Sequence, residues 1–415
     1  MNEKIRFYLN RLKERLWVKP LFMCLLSISG IFLTKAADNY LSEGAVPTIN
    51  PDSLATLLGV LSNGMLVIAV FAVGAMITAN NWASTSATPR SFPLIVADGV
   101  SQNALSVFIG AFIYSVLSQI ALENDYYNAP GHFALLLLTL TVFAIVIMTF
   151  VRWVDRIARL GNMATTMEKV EAAARSAFAQ RIKMPALGGK PVATVRSHGQ
   201  VFFSSTVGYL KRIDMVALQS LAEKSNVQVH VAVLPGAFVT PVRPIAFIDM
   251  SMDRVAEFDK DALSDAFLIG KNRSFDGDPR FGLIALSEIA SRALSPAVND
   301  PGTAINVIGT LVRILQPLTV NKKTCPVQYD RIMVPELSLE DLFDDAFGAI
   351  ARDGAGHIEV VVHLQKALGA LAVMGNSTVR DAALAQAAQA LTRAERALQL
   401  PADLERAKQS SPNRY

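Results

Sequence analysis

The densest run of chemically capable side chains lies between positions 270 and 304. It reads Gly270-Lys271-Asn272-Arg273-Ser274-Phe275-Asp276-Gly277-Asp278-Pro279-Arg280-Phe281-Gly282, continues through Glu288 and Arg292, and closes on Ser295-Pro296-Ala297-Val298-Asn299-Asp300-Pro301-Gly302-Thr303-Ala304. Guanidiniums suit anions and carboxylates suit cations, so Arg273, Asp276, Asp278, Glu288, Arg292, Ser295, Asn299 and Asp300 form a candidate ligand or gating cluster. The same residues also have an architectural reading. Asp278-Pro279 and Asp300-Pro301 each have the form of a helix start, with Asp accepting from free backbone N–H groups and Pro at a position that needs none. Glu288 and Arg292 stand one helical turn apart and can pair. Elsewhere the chain has no glycine-rich phosphate loop, no metal-binding cysteine pair and no nucleophile elbow. Cys24 falls in an apolar block and Cys325 in a polar region, and His357 and His363, six apart, leave a helix on different faces. No cofactor, metal or catalytic residue is expected, and the balance is against an enzyme.

The elements that must position this cluster belong to a chain of two characters. Its 415 residues are 52% apolar and 18% charged, with 39 basic and 35 acidic side chains, 39 − 35 = +4; soluble domains carry roughly 25% charge. Nearly all the charge lies before Pro20 or after Val151. Between them, blocks 20–34, 54–79, 100–122 and 133–151 hold no Asp, Glu, Lys or Arg, and each approaches the about 20 apolar residues that cross roughly 30 Å of hydrocarbon. This pattern excludes a soluble enzyme, a disulfide scaffold and a disordered chain, and so small a net charge gives no case for nucleic acid. The first block competes with a signal peptide, but no small-residue cleavage site follows it. Lys4, Arg6, Arg11, Lys13, Arg15 and Lys19 before the first span, and Arg152, Arg156 and Arg159 after the fourth, place both termini in the cytoplasm of an inner-membrane protein.

With no ionisable group at membrane depth, the spans do not carry the usual equipment of proton relays or ion-coupled pumps. Their polar residues, Asn63, Ser106 and Gln119 among them, read either as helix-packing groups or as the lining of an uncharged pore. Asn63 lies mid-span and is expected to face protein or water rather than lipid.

After the spans the pattern turns amphipathic. Leu160, Met163, Met167, Val170, Ala174 and Phe178 recur at helical spacing, predicting a helix over 158–181 continuous with the fourth span. Strands are expected at 192–196, 200–204, 227–233 and 244–249 around a helix at 215–224. Val227, Val229, Val231 and Val233 line one face of the third, which sends His230 toward solvent. From 251 the chain reads as helices alone, at 260–269, 280–293, 303–315, 339–352, 358–374 and 378–399. The divisions are a transmembrane domain (1–155), a connecting helix and linker (156–190), a small β-rich subdomain (191–250) and a helical subdomain (251–415).

The stretch from Phe267 to Ser274, the Asp276–Gly282 stretch and the Arg292-to-Pro301 run together resemble the predicted bacterial membrane protein family called domain of unknown function 2254. Weaker support comes from Ser86-Ala87-Thr88-Pro89-Arg90, Gly208-Tyr209-Leu210-Lys211-Arg212-Ile213-Asp214 and Pro235-Gly236-Ala237-Phe238-Val239. Ala237 stands where that family usually has an acidic residue and Val242 where it has glycine, which counts against a ligand role for that turn. The resemblance implies four spans and a cytoplasmic domain; it implies no activity. The expected fold is therefore an α-helical membrane domain of four transmembrane helices plus a cytoplasmic α+β domain. The expected function is an oligomeric passive channel or transport-type protein gated by its cytoplasmic domain, in contact with the lipid bilayer and with an unidentified small ligand or ion. The alternative is a membrane-anchored binding, sensing or scaffolding module without conduction.

Overall fold

The computed structural model describes residues 17–40, 46–86, 88–96, 99–159, 162–193, 199–250, 258–319 and 326–412. The cations at Lys4, Arg6, Arg11, Lys13 and Arg15, the residue Leu160, most of the strand expected at 192–196 and Cys325 lie outside them. The chain divides into two compact units, Met1–Thr166 and Met167–Tyr415.

In the first unit, α1 (Val18–Tyr40), α2 (Pro51–Ser86), α4 (Gly99–Glu123) and α5 (Ala129–Arg159) are joined by short connections that include α3 (Phe92–Val96). All four long helices are apolar and long enough to cross a membrane, over Val18–Ala36, Pro51–Thr78, Gly99–Glu123 and Ala129–Ala158. Helix α4 packs against α1, α2 and α5 and is the most covered of the four. The residues that let it do so are small or hydroxylic. Gly110 allows α1 so close that an added Cβ would stand 3.0 Å from Met23 Cβ, and Ser27 Oγ donates to Gly110 O at 2.9 Å. Tyr114 and Thr139 share a buried hydrogen bond of 2.9 Å between α4 and α5. In lipid such packing and hydrogen bonding replace the hydrophobic effect as the cause of helix association. Beyond the end of the first span, Asp38 caps a helix other than its own: it accepts from Gly131 N at 2.7 Å and Asn128 N at 3.1 Å at the start of α5, and pairs with Lys35 at 3.0 Å.

The amphipathic helix is not continuous with the fourth span. Asn162 is non-helical and caps a new helix, α6 (Met163–Lys183), accepting from Ala164 N at 2.9 Å. Asparagine side chains compete with the helical backbone in this way, which a reading of apolar spacing alone overlooks.

The second unit is α+β. A five-stranded mixed sheet has the order β1-β8-β4-β6-β2, from β1 (Gly189–Val192), β2 (Gln200–Phe203), β4 (Gln228–Val231), β6 (Pro244–Asp249) and β8 (Tyr329–Pro335). β1, β8 and β4 run parallel, while β6 is antiparallel to β4 and β2. A second, antiparallel sheet, β5-β3-β7, comprises β5 (Phe238–Val239), β3 (Gly208–Ile213) and β7 (Phe267–Gly270). Val229, Val231, Ile248 and Ile332 share one buried core with Leu218 and Ala222 of α7 (Met215–Lys224). The other helices are α8 (Lys260–Ala266), α9 (Pro279–Ala293), α10 (Pro301–Leu315), α11 (Leu339–Asp353), α12 (Ile358–Met374), α13 (Ser377–Ala397) and α14 (Pro401–Gln409).

Two further expectations change here. The region after 250 is not purely helical: β7 takes the residues read as the last turn of a helix, and β8 joins the large sheet. Phe267–Gly270 is a short apolar run, for which periodicity cannot separate strand from helix, whereas Asp330 and Arg331 interrupt the apolar pattern of Tyr329–Pro335. His230 does not face solvent; it is 3% exposed, with Nε2 3.2 Å from Asp249 Oδ2. In the sheet register His230 stands between Phe247 of β6 and the buried Met333 of β8, which flank it on that face.

Candidate functional site

Helix α9 divides the expected cluster in two. Its 15 residues hold one group at its start and the other at its end, about 20 Å apart at 1.5 Å per residue.

At the start, Asp278 is 2% exposed and is the N-cap, with Oδ1 accepting from Phe281 N at 3.3 Å. Its Oδ2 accepts from Arg273 Nε at 2.9 Å and Nη2 at 2.8 Å, and the Arg273 guanidinium also lies over the Phe281 ring. The carboxylate rests against Gly236, whose φ of +96° suits glycine and whose added Cβ would stand 2.3 Å from Oδ2. Burial pushes the Asp278 carboxyl up, against the opposing pull of Arg273. Arg181, near the end of α6, reaches the same place: Nη2 donates to Gly277 O at 3.2 Å. Arg280 turns away, to Asp345 at 2.5 Å and Asp341 at 2.6 Å, and so ties α9 to α11. Asp276 is exposed.

At the far end, Glu288 is half-buried and Arg292 exposed, and among the described residues no ion pair joins Arg292 to Glu288 or to Asp276. Ser295 Oγ donates to Arg292 O at 2.7 Å, and the backbone N–H of Asn299 donates to Ser295 O at 2.8 Å. Asn299 has φ +49°, a left-handed conformation that asparagine tolerates better than most side chains. Asp300 caps α10, accepting from Thr303 N at 3.0 Å and from its hydroxyl at 2.6 Å. Those bonds, the hydroxyl's first, hold the Asp300 carboxyl below its ordinary range. The cap's ionic part is therefore present above the usual aspartate range and is lost as pH falls through the lowered value. Asp300→Asn should change thermal stability little, whereas Asp300→Ala should cost about 0.5–2 kcal/mol. Equal stability of the two variants in thermal melts would contradict the cap.

The three membrane candidates are not brought together within one chain. Ser106 is buried and donates to Gln102 O of its own helix at 2.6 Å. Gln119 donates to Glu123 at 3.1 Å and lies beside Gly59 of α2. Asn63, expected to be covered by protein, is exposed on the face of α2 that also presents Val60, Leu66, Val67 and Val70. The covered face of α2 is made by Leu58, Leu61, Met65, Ala69 and Ala72; Asn63 lies out of that register.

Arg181 was absent from the residues singled out by sequence. Its signal was register: it follows Val170, Ala174 and Phe178 at helical spacing, so it occupies the buried stripe of α6.

No solved structure matches the chain. Over 63 residues it is 44% identical to the uncharacterized protein Rv1290c of Mycobacterium tuberculosis and to the uncharacterized protein Mb1321c of Mycobacterium bovis. That stretch is 15% of this chain, which thus spans 12% of the length of each relative. A model of the family described as predicted membrane protein, domain of unknown function 2254, matches residues 13–370. Spans, α+β unit and this match agree: the chain is a membrane protein belonging to the domain of unknown function 2254 family.

Proposed function

We propose that the protein works as a homo-oligomeric passive conductor, in which α2 helices from several copies meet around an uncharged path biased by the C-terminal unit. The carrying observation is Asn63, an amide in the middle of a span, on the uncovered face of an apolar helix. A polar group left unsatisfied in hydrocarbon costs on the order of several kcal/mol. Contact with other copies, or water held between them, would satisfy it. In this reading the cation counts put both termini in the cytoplasm of an inner-membrane protein, and the polar groups at the two ends of α9 form the part of the C-terminal unit that responds to a ligand or ion.

One observation favours the alternative, a membrane-anchored binding module. Ser106 and Gln119 spend their hydrogen bonds on their own helix, which leaves Asn63 alone of the three candidates to line the path. Flux through liposomes containing purified protein separates the two readings. Asn63→Leu should convert the oligomer to smaller species in detergent, read by light scattering, and abolish any flux. Retention of both the oligomer and the flux in this variant would defeat the α2 contact.

A further inference from the structure

The start of α9 holds one carboxylate and two guanidiniums, Asp278 and Arg181 buried and Arg273 partly so. Arg181 is 6% exposed, and its Nη1 is buried with no hydrogen-bond partner. Nη2 donates to Gly277 O, so the guanidinium is aimed at the residue just before the Asp278 cap. Asp278 cannot serve it in full. Oδ2 already takes two N–H groups from Arg273, Oδ1 takes the Phe281 amide, and Gly236 closes the remaining side. Arg181 and Arg273 therefore both draw on Asp278, with Asp345 also acting on Arg273, and α9 adds the partial positive charge of its N-terminal end. Desolvation lowers the Arg181 pKa to about 10, with Asp278 opposing the fall, so the side chain stays protonated at neutral pH. An uncompensated buried charge and an unmade buried hydrogen bond are both destabilising. Arg181 Nη1 is such a buried, unpaired donor.

We propose that Arg181 and Arg273 form an anion site at the start of α9, taking one phosphate-type oxyanion that accepts from Arg181 Nη1 and shares Arg273 with Asp278. Guanidinium is the side chain best matched to such oxygens, through parallel N–H donors. A further cation stands close by: the Lys211 side chain lies across Gly270 at the end of β7, its ammonium 3.1 Å from where a Cβ would stand. Arg273, on the 271–277 loop and with its side chain 18% exposed, is the outermost of the three charged groups and lies on the way in. Gly277 in that loop has φ +76°, a left-handed conformation that most side chains resist. The site stands whether or not the membrane unit conducts, because every group in it belongs to the C-terminal unit.

The test uses full-length protein in a neutral, phospholipid-free detergent, with thermal unfolding as the readout. Sodium phosphate, compared with sodium chloride at equal ionic strength, should raise the Tm of the wild type saturably. Arg181→Met should abolish that response. Arg181→Lys keeps the charge but loses the second nitrogen of the guanidinium fork. It should raise the half-saturating phosphate concentration by at least about tenfold, the effect of one charge-assisted hydrogen bond, and it decides the matter if the methionine variant does not fold. A second arm adds phosphatidylglycerol to the micelles. A response to that lipid alone, lost in Arg181→Met or weakened in Arg181→Lys, supports the site and assigns its phosphate to a headgroup. No response to either addition, or a response that both variants retain unchanged, overturns the proposal.

Discussion

Asp278→Ala should lower the stability of the C-terminal unit by about 3–5 kcal/mol, the range seen when one partner of a buried ion pair is removed. For a unit of this size that corresponds to a fall in Tm on the order of 10 °C. Three losses coincide at the one position. The first turn of α9 loses its side-chain cap. Arg273 loses the carboxylate that takes both its Nε and Nη2. Arg181, already short of a partner at Nη1, loses its nearest negative charge. Asp278→Asn separates the first loss from the other two, since asparagine caps about as well as aspartate. Its melting temperature should fall between those of Asp278→Ala and the wild type. A unit that melts within about 0.5 kcal/mol of wild type after Asp278→Ala, as ordinary surface substitutions do, would show that the two arginines are compensated elsewhere.

Gly282→Ala should destabilise by about 1–3 kcal/mol, the usual effect of forcing an extra methyl into a packed interior. The expectation runs against local preference, because alanine in mid-helix is favoured over glycine by about 1 kcal/mol. Packing reverses the sign here. A Cβ on Gly282 would stand 2.4 Å from Ala174 Cβ and 2.9 Å from its Cα, so α6 and α9 would have to separate. Any such separation also moves Arg181, on the same helix as Ala174, relative to Gly277. The paired exchange Gly282→Ala with Ala174→Gly offers a control. It returns the methyl count and the summed helix propensity to their starting values, and should recover stability to within about 1 kcal/mol of wild type. If Gly282→Ala alone proves as stable as wild type in chemical denaturation, the close approach of the two helices is not a constraint on the unit.

Much of the architecture is legible one neighbour at a time. The four spans follow from length and the absence of charge, and their ends in the structure lie within a few residues of the sequence reading except at the fourth, which continues through the Arg152-Asp155-Arg156 stretch. The starts of α9 and α10 follow from Asp-Pro pairs, because a cap concerns only a side chain and the amides three residues ahead. The helices at 339–353, 358–374 and 377–397 follow from uninterrupted apolar spacing.

What the tertiary structure decided concerns groups that meet from far apart in the chain. The Phe267-Leu268-Ile269-Gly270 run is a strand because β3 offers it a ladder, and Tyr329–Pro335 is a strand because β1 and β4 leave a gap between them. His230 is buried between Phe247 and Met333 of the two neighbouring strands, a pairing that alternation along one strand cannot reveal. Asn63 is exposed on its own chain because α2 turns Leu61, Met65 and Ala69 toward α4 instead. The candidate cluster is legible as a set of charged residues but not as a site. Its parts separate because a straight helix of 15 residues stands between them, and its missing member, Arg181, arrives from 96 positions before Gly277. Local signals act through bonds and contacts within a turn or two of chain, and they survive in the sequence. Which strand pairs with which, and which charge shares a buried space with which, depends on loop closures and burial that involve the whole unit, and these the folded structure alone specifies.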